Sequence, residues 1–96
     1  MTRHQLRFCH ANVLSLAANG RLFDVELLAA AHGIDVLCLT ETWLQSSKHS
    51  STSFSIPRYQ PPFRFDRPAG HGGGVAIYIR EHLTAHRIML NSCSIE

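Results

Sequence analysis

The sequence predicts an α/β fold, built on a strand–helix–strand unit with further strands after it. Residues 34–39 form an apolar run, broken only by Asp35, that is too continuous for a half-exposed strand and too short for a helix, which indicates a buried strand. Residues 21–32 instead repeat their apolar side chains at helical spacing, and residues 6–13 alternate loosely. A right-handed crossover in this order makes the two strands parallel neighbours in one sheet.

The first strand is predicted within residues 6–13 and ends at Asn12. Asn19 and Gly20 form a turn signal, in which Asn19 is a candidate cap for the helix that follows. Gly33 follows the helical pattern directly, which is typical of a left-handed helix stop.

After the buried strand the pattern is less regular. The serine-rich residues 45–55 are typical of an exposed loop, and three prolines keep residues 56–62 extended. A short strand is predicted at residues 63–67, and a glycine-rich turn leads into a further strand at residues 75–79. The glycines precede a strand, and no Gly-Lys-Ser or Gly-Lys-Thr follows them, so they do not form a nucleotide-binding phosphate loop. Another strand is predicted at residues 88–90.

The composition indicates one globular unit. The chain has 96 residues, 45% of them hydrophobic, and its net charge of +2 neither demands nor excludes a nucleic-acid partner. Two of its three cysteines lie in apolar runs, which favours reduced thiols. Because no apolar run approaches the length of a membrane span, we expect an intracellular protein without a membrane partner.

Glu41 is the first candidate functional residue, because it follows the buried strand at its carboxyl end, where open α/β sheets place their chemistry. Asn12 follows the other strand of the parallel pair, so we expect the two side chains to share one site. A carboxylate at this position could bind Mg²⁺, which takes oxygen ligands. The alternatives are a helix cap or surface ion pair for Glu41 and a turn for Asn12. Trp43 is expected to pack at the rim of the core, and the alternative is contact with a partner.

A second candidate is a basic and aromatic surface in the later half of the chain. Arg64 and Arg67, with Arg58 before them, alternate with aromatic side chains and are predicted to contact a nucleic-acid backbone. The same arginines are equally compatible with a solvated loop. The aromatic residues are Tyr59, Phe63 and Phe65.

Two motifs, in this order and spacing, resemble a known family. They are Leu-Thr-Glu-Thr-Trp-Leu at residues 39–44 and Gly-Gly-Gly-Val-Ala-Ile at residues 72–77. The chain resembles the endonuclease/exonuclease/phosphatase superfamily, which is DNase I-like. Within that superfamily it is most similar to the apurinic-endonuclease-like domain of non-LTR retrotransposons. The resemblance extends from residue 6 to residue 83.

The resemblance implies a four-layer α/β sandwich, of which residues 1–96 are the amino-terminal half. It matches Glu41 to the family's metal-binding glutamate and Asn12 to its active-site asparagine. The implied cofactor is Mg²⁺ or Mn²⁺, and the implied partner of the full-length parent is DNA. A protein acting on genomic DNA would work in the nucleus.

The chain also departs from the family pattern, because the later Asp-x-Asn and Ser-Asp-His motifs do not occur in it. We therefore expect a fragment with little or no nuclease activity of its own. One alternative is a non-catalytic remnant that binds nucleic acid or protein. Another is a fragment of a phosphatase or lipid phosphodiesterase of the same superfamily. Half of a sandwich leaves an apolar sheet face without its cover, so self-association through that face is also expected.

Overall fold

The computed structural model describes residues 5–68 and 72–84, and its centre is a four-stranded sheet. The elements are β1 (Phe8–Asn12), α1 (Arg21–His32), β2 (Val36–Thr40), a 3₁₀ helix (Ser51–Phe54), β3 (Phe63–Phe65) and β4 (Val75–Ile79). The strand order is β1-β2-β4-β3, in which only the β1–β2 pair is parallel. The predicted strand at residues 88–90 lies outside the described residues.

The β1–α1–β2 unit confirms the predicted parallel pair, with Asn12 opposite Thr40 at the end of the ladder. Both strands begin later than predicted. The carbonyl of Arg7 accepts hydrogen bonds from the backbone N–H groups of both Asp35 and Val36, at 2.9 and 3.1 Å. The Arg7 N–H donates to the Asp35 carboxylate instead of to a ladder carbonyl. Regular pairing therefore starts only at Phe8.

Helix α1 occupies the predicted residues but is not capped by Asn19. Gly20 is the N-cap, at a left-handed φ of 78°, and no side chain caps the helix. The N–H of Arg21 donates to the carbonyl of Ala18 at 2.9 Å, a tight turn that a glycine adopts without strain. Gly33 ends the helix in the left-handed conformation, as predicted. No helix in the described part of the chain is long and apolar enough to cross a membrane.

The segment predicted as a plain exposed loop contains the 3₁₀ helix, which Phe54 anchors. The hydroxyl of Ser50 accepts from the N–H of Thr52 and caps this helix. Phe54 is buried, and its carbonyl accepts from the hydroxyl of Tyr78 at 2.7 Å. Burial raises the pKa of Tyr78 to about 12. Strand β3, by contrast, ends at Phe65 and is shorter than predicted.

The two faces of the sheet differ in how deeply their side chains are buried. On one face Leu37, Leu39, Ala76 and Tyr78 are fully buried in a core that includes residues of α1 and of the loops. Residues that are partners in register point to the same face. The other face, which we call the open face, therefore carries Phe8, His10, Asn12, Val36, Cys38, Thr40, Phe63, Phe65, Val75, Ile77 and Ile79. Phe8 and Phe65 are 69% and 50% exposed on it.

Candidate functional site

Beyond the ends of β1 and β2, the chain continues as two loops that remain hydrogen-bonded to each other. The bonds run from Val13 N to Thr40 O (3.0 Å), Ser15 N to Glu41 O (2.8 Å) and Leu16 N to Thr42 O (2.8 Å). We call residues 12–16, 40–44 and 72–74 the carboxyl edge. Asn12 and Glu41 both lie in it, as the parallel pairing predicts.

The backbone at the carboxyl edge is strained. Leu14, Ser15, Glu41 and Trp43 all have left-handed φ values, of 45°, 80°, 57° and 57°. Such a conformation costs about 1–2 kcal/mol for a residue that carries a Cβ atom. Clustered strain of this kind is found at functional sites, where surrounding contacts hold the backbone in place. The strain gives an independent reason to regard this edge as the candidate site.

The glycines before β4 hold the loop of Glu41 from its other side. Gly73 accepts from the N–H of Trp43 at 2.9 Å, and Gly74 accepts from the N–H of Thr42 at 3.3 Å. Gly74 has a φ of 93°, and a Cβ atom on it would lie 2.6 Å from the Thr42 hydroxyl oxygen. Glycine is therefore required for this close approach. The glycine-rich turn predicted before this strand therefore also forms one wall of the candidate site, which we call the glycine wall (residues 72–74).

The carboxylate of Glu41 is fixed through one of its oxygens. Its Oε1 accepts from the indole Nε1 of Trp43 at 3.1 Å and from the backbone N–H of Gly73 at 3.2 Å. The pKa of Glu41 is lowered most by the hydrogen bond from Trp43 and next by the hydrogen bond from the Gly73 amide. Burial raises this pKa by less, and the positive charge of Arg67 lowers it by the smallest amount. Glu41 therefore presents a negative charge at neutral pH.

Trp43 is the site residue whose role the sequence did not reveal. It was expected at the rim of the core, yet its side chain is 42% exposed and its polar edge contacts Glu41. The indole is an amphipathic group, and the sequence shows its apolar character more readily than its single N–H. Its position two residues after a strand-end glutamate was the one available signal.

Asn12 lies at the end of β1 with an exposed side chain on the open face. It is the register partner of Thr40, the residue directly before Glu41. The structure therefore brings Asn12 and Glu41 to the same edge, on adjacent parallel strands. The catalytic role of Asn12 remains a prediction.

Arg67 and Arg64 have different surroundings. Arg67 is exposed and lies beside the glycine wall, since a Cβ on Gly73 would come within 3.0 Å of the Arg67 Cδ. It also lines a cleft of about 210 Å³ at the carboxyl edge, together with Ser15, Trp43 and Gly72 among others. A cation beside Glu41 is well placed to attract a phosphate.

Arg64 donates several hydrogen bonds within the chain. Its guanidinium donates to the Asp66 carboxylate at 2.6 Å, to the carbonyl of His49 at 2.6 Å and to the hydroxyl of Ser51 at 3.2 Å. Its side chain is 11% exposed. These contacts attach the 3₁₀ segment to β3, so Arg64 has a structural role. Its predicted contact with nucleic acid remains a prediction.

The carboxyl edge fits part of a hard-cation site. Glu41 supplies a carboxylate, a ligand type that Mg²⁺ and Mn²⁺ prefer, and Asn12 lies at the same edge. Among the described residues there is no group of three or more His, Cys, Asp or Glu side chains that could hold a metal. Mg²⁺ commonly uses one or two protein carboxylates and completes its shell with water and substrate phosphate.

Comparison with known proteins identifies the family of the chain. The Endonuclease/Exonuclease/phosphatase family matches residues 9–91, which is most of the chain. The chain belongs to this family. A solved AP endonuclease from Archaeoglobus fulgidus is similar over 78% of the chain, at 25% identity and a TM-score of 0.62. The match covers 27% of that protein, so the chain spans about a quarter of its length. No curated protein matches significantly.

Proposed function

We propose that this chain is the amino-terminal part of a Mg²⁺-dependent endonuclease that cleaves phosphodiester bonds in DNA. The observation that carries the proposal is the Glu41 carboxylate, fixed at the carboxyl ends of two parallel strands in a family of nucleases and phosphatases. The similar archaeal protein is an AP endonuclease, which favours DNA over other phosphoesters.

In the proposed reaction the chain contributes binding and charge. Glu41 holds the divalent cation, which when bound stabilises negative charge that develops on the phosphate. Asn12 orients a phosphate oxygen by donating from its side-chain amide. Arg67 attracts the DNA backbone toward the edge. The attacking water and its general base belong to the motifs that this chain does not contain.

We further propose that the parent is the endonuclease domain of a non-LTR retrotransposon that acts in the nucleus. The support is the resemblance carried by the Leu-Thr-Glu-Thr-Trp-Leu box followed by Gly-Gly-Gly-Val-Ala-Ile. In this box Glu41 and its hydrogen-bond partner Trp43 directly follow β2, and Gly73 accepts a hydrogen bond from the backbone N–H of Trp43.

The test is a plasmid-nicking assay on a full-length protein that contains this chain. Glu41→Gln is expected to lower Mg²⁺-dependent nicking by about a hundredfold or more, because losing a metal ligand costs at least as much as losing one of its supports. Glu81→Gln, at an exposed position after β4, is the matched control and should nick normally. Normal nicking by Glu41→Gln contradicts the proposal. Preferential cleavage of a phosphate monoester or a phospholipid headgroup supports the phosphatase or lipid phosphodiesterase alternative.

The 96-residue chain alone is expected to show no turnover in the same assay, with or without EDTA. Retained binding to DNA without cleavage would agree with a remnant that acts as a binding module. Nicking by the purified chain that EDTA abolishes would show that the described edge suffices for catalysis, and would refute the non-catalytic interpretation.

We also propose that the open face mediates association with a second copy of the chain. Apolar side chains from four strands lie on this face, and two phenylalanines on it are at least half exposed. Burial of apolar area of this kind favours association. Sedimentation of the purified chain should show dimers or larger species, and Phe8→Lys should shift them toward monomer. A wild-type chain that sediments as a single monomer contradicts this proposal.

A further inference from the structure

The two oxygens of the Glu41 carboxylate have different surroundings. Oε1 accepts both hydrogen bonds described above, from Trp43 at 3.1 Å and from Gly73 at 3.2 Å. No donor within residues 5–68 and 72–84 is bonded to Oε2. A carboxylate held through one oxygen keeps the lone pairs of the other for a ligand.

Trp43 is itself held in a closed unit with Gly73. Its backbone N–H donates to the Gly73 carbonyl at 2.9 Å, while the Gly73 N–H donates to the Glu41 oxygen that also accepts from the indole. Three hydrogen bonds therefore link three residues in a ring. A Cβ on neighbouring Gly72 would lie 3.6 Å from both the Glu41 Oε1 and the Trp43 Nε1, so the unit is closely surrounded.

Core packing does not explain this tryptophan. Its side chain is 42% exposed, and its backbone adopts a left-handed φ of 57°, which a residue with a Cβ atom rarely adopts. The conformation directs the indole N–H to the carboxylate. An indole N–H is a donor only, so it supports the carboxylate without competing with it for a cation.

We infer that Trp43 is a positioning residue, which fixes Oε1 of Glu41 so that Oε2 faces a divalent cation. The inference rests on the proposed function, because it assigns a cation to Glu41. Hydrogen-bonded supports of metal ligands typically change metal affinity by about 10–100-fold. We therefore expect the loss of the indole N–H to weaken cation binding about tenfold while Glu41 itself is intact.

The test uses Mn²⁺ as the probe and the 96-residue chain as the protein. Free Mn²⁺ is measured by electron paramagnetic resonance for wild type, Trp43→Phe, Glu41→Gln and Phe23→Leu. Trp43→Phe keeps an aromatic ring but removes the N–H donor. Phe23 is the matched control, an exposed aromatic residue on α1 at 61% exposure. Melting temperatures verify that each variant is folded.

About tenfold weaker Mn²⁺ binding by Trp43→Phe, with Phe23→Leu equal to wild type, supports the inference. Equal binding by Trp43→Phe and wild type overturns it and leaves the metal role of Glu41 intact. Equal binding by Glu41→Gln and wild type overturns the metal role, and the inference with it.

A second measurement keeps the test decisive if Trp43→Phe does not fold. The chain has one tryptophan, so one indole N–H resonance reports on this bond. Mn²⁺ should broaden that resonance in wild type at concentrations that leave it sharp in Glu41→Gln. A resonance that is identical in both proteins and insensitive to Mn²⁺ overturns the inference.

Discussion

Strand β2 has a carboxylate at each end, and the two are used differently. Asp35 directly precedes the strand and is 4% exposed, while Glu41 directly follows it and is partly exposed. Asp35 accepts from the backbone N–H of Arg7 at 2.9 Å and lies 4.0 Å from the Nε of Arg80. It closes the start of the β1–β2 ladder and is part of the fold.

The backbone differs in the same way. The backbone carbonyl of Asp35 takes part in regular hydrogen bonding, because it accepts from the backbone N–H of Arg80 at 3.0 Å. Glu41 has a left-handed φ of 57° and is held by a tryptophan that is itself strained. Buried groups are satisfied by their neighbours, whereas a carboxylate held in a strained and partly exposed loop keeps capacity for a ligand. Burial and backbone conformation therefore distinguish the structural carboxylate, Asp35, from the candidate functional carboxylate, Glu41.

The largest expected effect comes from a substitution beside the strained loop that follows β2. Gly74→Ala places a Cβ 2.6 Å from the Thr42 hydroxyl oxygen at a φ of 93°. Strain and crowding together should lower the free energy of unfolding by about 2–5 kcal/mol. Urea denaturation followed by circular dichroism measures this change.

Gly20→Ala is the matched control for Gly74→Ala. Gly20 has a similar φ of 78°, but nothing lies within 4 Å of the point that an added Cβ atom would occupy, so only the backbone term of about 1–2 kcal/mol remains. If both variants lost the same free energy of unfolding, the close contact between Gly74 and the loop of Glu41 would not contribute to the loss.

Removal of the structural carboxylate should have the next largest effect. Asp35→Ala leaves the backbone N–H of Arg7 without its partner and removes the carboxylate that lies 4.0 Å from the Nε of Arg80. We expect a loss of about 2–3 kcal/mol in the free energy of unfolding, measured by the same urea titration. The exposed Glu81→Ala should change little. A tolerated Asp35→Ala would remove the structural half of the comparison.

Much of this architecture could be predicted from the sequence. The period of the apolar residues located α1, and the strand–helix–strand order placed Asn12 and Glu41 at one edge. The Trp43 contact could not be predicted, because it depends on left-handed backbone angles in adjacent loops and on the distant Gly73. For the same reason Arg64 and Arg67 look equivalent in sequence, although one is engaged by Asp66 and the other lies beside Glu41.

The smallest expected effect is on the stability contributed by Glu41. Its pKa is lowered in the folded chain below the ordinary value of 4.5, because the indole of Trp43 and the amide of Gly73 donate to the ionised form. The resulting stability is present above pH 4.5 and is lost as the pH falls through the folded pKa. Glu41→Gln keeps an accepting oxygen but does not titrate.

Urea midpoints of wild type and Glu41→Gln, measured without divalent cations, should therefore differ slightly at pH 7. The difference should decrease as the pH is lowered below 4.5. A difference that stays constant down to the folded pKa would show that the charge of Glu41 is not what its partners stabilise. Glu41 would then resemble Asp35 in accepting hydrogen bonds for a structural purpose, and the contrast between the two ends of β2 would rest on burial and backbone conformation alone.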